Sequence, residues 1–166
     1  MATSSSRDAF DEFVRARTTA LTRTAYLLTG DAHLAEDLVQ TALFKAARAW
    51  HRIEGDPEPY VRRILYTQNV SWWRRRRWRE TPLASYDDTA VAADTDLRLS
   101  LEDALRRLTE RQRTVLVLRF FEDLTEVQTA AALGIGAGTV KSIARQALAR
   151  LRTLAPDLEQ LLEDAS

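Results

Sequence analysis

The stretch YVRRILYTQNVSWWRRRRWR, residues 60–79, decides how the rest of the chain is interpreted. It contains seven arginines, three tryptophans and no acidic residue. Apolar side chains recur at helical spacing, at Tyr60 or Val61, Ile64 or Leu65, and Val70, which predicts a helix with one buried face. Four adjacent arginines cannot lie in a core, because burial would strand their charge in a medium of low dielectric constant. We therefore predict a helix whose C-terminal end is exposed and cationic.

The outer face of this helix suits a polyanion that carries flat bases. Guanidinium groups bind phosphates through paired hydrogen bonds, and indole rings offer a surface on which unstacked bases can lie. The alternative is a solvated basic helix end with one or two tryptophans in the core. The candidate nucleic-acid-binding residues on this face are Arg62, Arg63, Thr67, Gln68, Asn69, Trp72, Trp73, Arg74, Arg75, Arg76 and Arg77.

Composition narrows the class of protein. The chain has 166 residues, 45% of them apolar, which suits one compact domain or two small ones. It has no cysteine and two histidines, so we expect no disulfide, no metal site and no cofactor. The N-terminal residues lack the apolar run of a signal peptide, and no stretch reaches membrane-spanning length. We therefore expect a cytoplasmic protein that does not insert into membranes.

Charge is sorted along the chain, although 24 basic and 24 acidic residues give a net charge of zero. Residues 60–79 and 141–152 carry only positive charge, and residues 84–96 carry only negative charge. Two basic faces separated by an acidic connector imply two contacts with one polyanion, which the connector itself avoids.

The N-terminal part of the sequence predicts a three-helix bundle. Apolar periodicity and turn residues place helices over residues 8–29, 32–50 and 60–79, with the loop HRIEGDPEP at 51–59. The outer face of the second helix carries Phe44 among polar side chains, which favours a protein-binding surface. Residues 80–99 are rich in aspartate and poor in apolar side chains, and so predict a flexible acidic linker.

The C-terminal part has the layout of a helix-turn-helix. Capping-box signals at 100–103, 109–112 and 125–128 predict helices over 101–108, 110–121 and 126–133, and a last helix follows over 138–154. Gly134 suits a left-handed turn position between the last two helices. Short polar and basic side chains on the last helix suit a major groove, namely Thr139, Lys141, Ser142, Arg145 and Gln146. A helical hairpin without a role in DNA binding is the alternative. The predicted core of this part is Leu101, Leu105, Leu108, Val115, Leu116, Leu118, Phe120 and Leu124.

Four motifs occur in order along the chain: AEDLVQ at 35–40, SWWRRRRW at 71–78, LTERQR at 108–113, and LGI at 133–135 followed by GTVKS at 138–142. Together they resemble a bacterial RNA polymerase sigma factor of the extracytoplasmic-function (ECF) group, of the actinobacterial SigE-family type. The likeness covers roughly residues 10–154. Two departures affect the promoter sequence: relatives often carry Asn where this chain has Thr67, and a basic residue where it has Gln146.

The resemblance implies an all-α fold of two small domains. These are sigma region 2 over residues 8–79 and a helix-turn-helix sigma region 4 over 100–155, joined by the acidic linker over 80–99. The implied protein is an alternative-type sigma factor, with no catalytic residues of its own, that is monomeric when free. It would bind core RNA polymerase and direct promoter recognition, DNA melting and transcription initiation. An anti-sigma factor is a further implied partner.

The resemblance also assigns residues to each contact. It assigns polymerase binding to Asp37, Leu38, Gln40, Thr41 and Phe44. The loop at 51–59 and the arginine-rich helix would recognise the minus-ten element, through the nucleic-acid-binding residues given above. The resemblance assigns recognition of the minus-thirty-five element to Thr125, Gly138, Thr139, Lys141, Ser142, Arg145 and Gln146.

Two other classes of protein compete with this interpretation. A stand-alone helix-turn-helix regulator would explain residues 100–154 but leaves the arginine-rich helix and the acidic linker without a role. An enzyme is disfavoured because His33 and His51 are isolated, and because neither paired carboxylates nor a glycine-rich phosphate loop is present.

Overall fold

A computed structural model describes residues 2–79 and 97–156, and the side chains of residues 4–76 and 101–156. All the regular elements in these ranges are helical, which confirms the predicted class. The helices are α1 Ala2–Thr29, α2 Ala32–Ala49, α3 Glu58–Arg79, α4 Leu97–Arg106, α5 Glu110–Leu116, α6 Glu126–Leu133 and α7 Ala137–Leu154. A 3-10 turn, Trp50–Arg52, follows α2, and a π-helical segment, Val117–Phe121, continues α5. No helix in the described ranges is long and apolar enough to cross a membrane.

The chain divides into two compact units, Met1–Trp72 and Trp73–Ser166. The division falls inside α3, so the last residues of this helix belong with α4–α7. The predicted linker lies largely outside the described residues, since only 97–99 are described. Those three residues form the start of α4 rather than linker.

Small side chains allow α1 and α2 to pack closely in the first unit. Ala25, Ala35, Ala42 and Ala46 are all fully buried. Gly30 ends α1 with φ of 68°, a conformation that glycine adopts without a steric cost. Asp31 then caps α2, where its side chain accepts a hydrogen bond from the backbone N–H of Leu34 at 3.0 Å. The hydrophobic side chains that complete this core are Leu21, Leu28, Leu38, Val39, Val61, Leu65, Tyr66 and Val70.

Capping boxes define the helix starts of the second unit. Both predicted boxes at α5 and α6 are present, formed by Thr109 with Gln112 and by Thr125 with Gln128. The third was wrong: α4 already begins at Leu97, so Ser100 lies inside the helix. Gly134 adopts the predicted left-handed conformation, with φ of 67°, and ends α6.

The π-helical segment changes which side chains reach the core. Val117 and Leu118 are fully buried, whereas Phe120 is 37% and Phe121 39% exposed. Prediction of Phe120 as a core residue was therefore wrong. The wider π turn shifts the angular position of side chains relative to an α-helix, and α-helical spacing cannot anticipate this shift.

Candidate polymerase and nucleic-acid interfaces

The outer face of α2 presents most of the residues that were predicted to bind polymerase. Asp37, Gln40 and Phe44 are exposed, and the Phe44 side chain is 66% exposed. Thr41 is half-buried beside them. The structure corrects the prediction of Leu38 as a polymerase contact, because this side chain is fully buried in the core of the first unit. A contact surface on α2 is thus available, and Leu38 packs on the opposite, buried side of the helix.

The arginine-rich helix turns a different face outward than was predicted. Arg63 and Thr67 are exposed, but Gln68 is 7% and Asn69 only 1% exposed. Both buried positions lie three or four residues after Leu65 and so share its core face. The prediction that they are on the outer face was wrong. Thr67 is left as the outward-facing residue of this turn.

Gln68 has a partner on another helix. The Lys45 Nζ on α2 donates a hydrogen bond to the Gln68 Oε1 at 2.6 Å. A buried amide that is satisfied in this way costs little, whereas an unpaired one costs about 1–3 kcal/mol. The sequence showed Gln68 as polar but could not show that a lysine from α2 would reach it.

Arg62 belongs to a network at the start of α3 rather than to the open surface. Its Nε lies 2.9 Å from the Glu58 Oε1, and its Nη1 donates to the Thr24 Oγ1 at 3.0 Å. Arg17 on α1 also donates to Glu58 and forms an ion pair with it. The hydrogen bond from Arg17 is the main cause that lowers the pKa of Glu58, and the same bond raises the pKa of Arg17. Arg62 therefore ties α3 to α1, which the prediction of a DNA contact did not anticipate.

A cavity of about 450 Å³ opens beside this network, between α1, the 3-10 turn and the loop before α3. Its walls include Phe13, Trp50, Ile53, Asp56 and Glu58. Trp50 is held by edge and tilted contacts with Phe10 and Phe13, at centroid distances of 5.1 and 5.3 Å. The cavity thus combines an aromatic wall with carboxylates, which can accept hydrogen bonds from amino groups.

The tryptophan- and arginine-rich end of α3 is only partly open. Arg74 and Arg75 are exposed, and Trp72 is half-buried. Trp73 is 6% exposed, which corrects its prediction as a surface for bases. The guanidinium of Arg74 lies 5.7 Å from the centre of the Trp73 ring, within the range of a cation–π contact. The side chain of Arg77 lies outside the described residues.

Two arginines at this end have partners within the second unit. The Arg74 Nη2 donates to the backbone carbonyl of Leu133 at 2.8 Å. The Arg76 Nη2 lies 2.8 Å from the Glu110 Oε1, in a pair whose side chains are 31% and 39% exposed. Neither partner was predicted, because nothing in a sequence pattern relates residue 74 or 76 to positions so far along the chain.

The last helix presents its predicted surface as expected. Gly138, Thr139, Lys141, Ser142, Arg145 and Gln146 are all exposed, and so is Thr125 at the cap of α6. The opposite face of α7 carries the buried side chains Val140, Ile143, Ala147 and Leu151. α7 therefore separates a core face from a polar and basic face, as a helix that enters a groove requires. In the described part of the chain, no cluster of histidine, aspartate and glutamate is arranged to hold a metal ion.

Comparison with known proteins shows which family the chain belongs to. The family model "Sigma-70 region 2" matches residues 13–79, and "Sigma-70, region 4" matches residues 104–153. The RNA polymerase sigma-E factor of Streptomyces avermitilis is 42% identical over 86% of this chain and 83% of its own length. The chain belongs to the sigma-70 family, in its ECF group. The ECF sigma factor SigL of Mycobacterium tuberculosis is 37% identical over 83% of this chain and 84% of its own length.

Solved structures agree with this assignment. The sigma factor RpoE of Bartonella quintana, in complex with the anti-sigma factor NepR, has a TM-score of 0.66 at 25% identity. The match covers 90% of this chain and 98% of that one. CnrH, solved with the cytosolic domain of CnrY, shares the fold with a TM-score of 0.58 at 22% identity, over 89% of this chain and 88% of that one. The Streptomyces and Mycobacterium relatives, with the two matched regions, make the chain an alternative sigma factor, and these relatives are named as sigma factors rather than as enzymes.

Proposed function

We propose that this sigma factor binds core RNA polymerase through the outer face of α2 and recognises a promoter at two separate elements. In this proposal residues 8–79 act as region 2, residues 80–96 as an acidic linker and residues 97–155, beginning with α4, as region 4. The observation that carries it is the pairing of exposed contact faces with buried opposite faces on α2 and α7. The protein works in the cytoplasm, where core polymerase and the chromosome are found.

The polymerase contact rests on exposure and charge on α2. Asp37 and Gln40 lie one helical turn apart, and Phe44 follows at the next turn, so the three side chains form one stripe. A two-thirds exposed phenylalanine between polar residues is typical of an interface centre that becomes buried in a complex. Leu38 contributes by fixing the helix against the core.

The minus-ten contact rests on Arg63, Thr67, Arg74 and Arg75, which are exposed on α3, and on the half-buried Arg76. Such a protein opens DNA without chemical energy, because capturing unpaired bases offsets an unstacking cost of a few kcal/mol per base. The cavity beside Trp50 is the candidate pocket for one such base, since it joins an aromatic wall to hydrogen-bond acceptors. Trp72 is the half-buried indole that remains available for stacking.

The minus-thirty-five contact rests on α7. Thr139, Lys141, Ser142, Arg145 and Gln146 occupy its exposed N-terminal half, which is the part of a recognition helix that reaches base edges. Lysine and arginine there bind phosphates and guanine edges, and the short polar residues allow close approach.

An anti-sigma factor is a further proposed partner. The sigma factor RpoE of Bartonella quintana was solved in complex with the anti-sigma factor NepR. The same α2 face that would bind polymerase is exposed here, and an inhibitor that covers it would compete with the enzyme.

Transcription by core RNA polymerase from a library of upstream sequences, with and without this chain, tests the proposal. We expect the chain to enrich promoters with two conserved boxes at fixed spacing, and to bind duplex DNA weakly when alone. Tight and sequence-specific duplex binding by the chain alone, without an effect on polymerase, would favour a stand-alone helix-turn-helix regulator instead.

A further inference from the structure

The hydrogen bond from Arg74 to Leu133 places a cation at the end of a helix. Leu133 is the last residue of α6, and its carbonyl is one of the four that an α-helix leaves without an internal partner. The C-terminus of a helix carries partial negative charge, so a guanidinium at this point is favourable. Gly134 and Ile135 return their own N–H groups to Ala130 and leave the Leu133 carbonyl to Arg74.

The ion pair between Arg76 and Glu110 lies at the beginning of a helix in the same unit. Glu110 is the first residue of α5, directly after the Thr109 cap. Trp73, directly before Arg74, is buried, and its indole N–H has no hydrogen-bond partner among the described residues. Burying an unpaired indole N–H is unfavourable. The guanidinium of Arg74 lies 5.7 Å from the centre of the Trp73 ring, so the hydrogen bond from Arg74 to Leu133 also keeps a cation beside this indole.

We infer that the Leu133 carbonyl and Glu110 compete with DNA for Arg74 and Arg76. These two contacts together are called the latch. The inference rests on the proposed role of this helix end at the minus-ten element. A guanidinium that pairs with Glu110, or that caps the carbonyl of Leu133, cannot bind a phosphate in the same geometry. The free protein therefore holds two of its DNA-binding arginines in internal contacts, and promoter binding replaces Glu110 and the Leu133 carbonyl with phosphate oxygens.

The sequence provides a matched control for the latch. Glu110 and Glu126 each occupy the first position of a helix, and each directly follows the threonine of a complete capping box. A change to glutamine removes the same charge and the same helix-dipole contribution at both sites. Of these two glutamates, only Glu110 forms an ion pair with an arginine among the described side chains.

The test is the affinity of the full-length free chain for a short fluorescein-labelled single-stranded oligonucleotide of mixed sequence. We expect Glu110→Gln to raise this affinity by about two- to fivefold, as loss of a partly exposed ion pair implies. Glu126→Gln should leave it near the wild-type value. In an Arg76→Gln background the effect of Glu110→Gln should disappear, since the two residues then no longer share an interaction. Thermal unfolding of each variant checks that it is folded.

Equal affinities of the Glu110→Gln and Glu126→Gln variants would overturn the latch, and so would an effect of Glu110→Gln that survives in the Arg76→Gln background. Transcription with core polymerase separates this failure from failure of the proposed function. If only the latch is wrong, the wild-type chain still directs polymerase to a two-box promoter, and Arg74→Ala with Arg76→Ala still weakens its opening. If the proposed function is wrong, neither result is obtained.

Discussion

Lys45 on α2 donates a hydrogen bond to the buried Gln68 on α3, with 2.6 Å between Nζ and Oε1. This contact links the helix that carries the proposed polymerase face to the helix that carries the proposed minus-ten face. The two adjacent residues Thr67 and Gln68 have different roles, because Gln68 is buried in the first unit while Thr67 is exposed.

Substitutions of Gln68 and Thr67 should therefore affect different properties, namely folding stability and base preference. Gln68→Ala should lower the free energy of unfolding by about 1–2 kcal/mol, because it removes a buried hydrogen bond and leaves a small cavity. Thr67→Ala should leave the unfolding free energy within about 0.5 kcal/mol of wild type, as expected for a surface change, but should alter base preference in the minus-ten element. Urea unfolding and promoter-library transcription measure the two quantities. Loss of base preference in a fully folded Gln68→Ala variant, with none in Thr67→Ala, would reverse the assignment.

The Glu58 network predicts a pH-dependent contribution to stability. Because the pKa of Glu58 is lowered in the folded state, its stabilisation is fully present above the unfolded pKa of about 4.3 and is lost as pH falls through the folded pKa. Glu58→Gln should thus destabilise the chain by about 1 kcal/mol at neutral pH, and the difference from wild type should shrink below about pH 4. Glu54→Gln is the control, because Glu54 is exposed in the loop before α3. A difference that stays constant down to pH 3 would show that ionisation of Glu58 does not matter.

The α2 face predicts a variant that binds polymerase poorly but folds normally. Asp37→Arg reverses a charge on an exposed helical position, and we expect its affinity for core polymerase to fall about tenfold or more, as for other charge reversals in an interface. Asp11→Arg makes the same change at an exposed position of α1 and should have little effect. Competition with the wild-type chain for core enzyme, with far-UV circular dichroism to check folding, measures the difference. Normal association of the Asp37→Arg variant would move the docking surface elsewhere.

The sequence was sufficient for features that depend on local chemistry. The helix starts at Thr109 and Thr125, the left-handed turn at Gly134 and the exposed face of α7 all follow from short-range patterns, and the structure confirms them. Errors arose where a polar or aromatic residue met a partner from another element. Gln68 lies on the core face, where Lys45 satisfies its amide oxygen, and Trp73 is buried in the unit that contains α4–α7.

Arg62 illustrates the same limit at the candidate site. It lies in a stretch, residues 60–79, that carries seven arginines and no acidic residue, which suggested a phosphate contact, but its guanidinium binds Glu58 and Thr24. Phe120 was misplaced for a different reason, since the π-helical segment has no clear signal in the pattern of apolar residues. A helical wheel assigns faces by angle alone and contains neither kind of information.

The most direct test of the central claim is a promoter-library selection with core RNA polymerase and three versions of the chain. The claim is that α3 and α7 recognise two different elements of one promoter. We expect Thr67→Ala to relax base preference only in the minus-ten box, and Arg145→Ala to relax it only in the minus-thirty-five box, relative to wild type, with each affected position losing about 1–3 kcal/mol of discrimination. If both variants relaxed the same box, or if neither changed the selected sequences, two-element recognition by these helices would be contradicted.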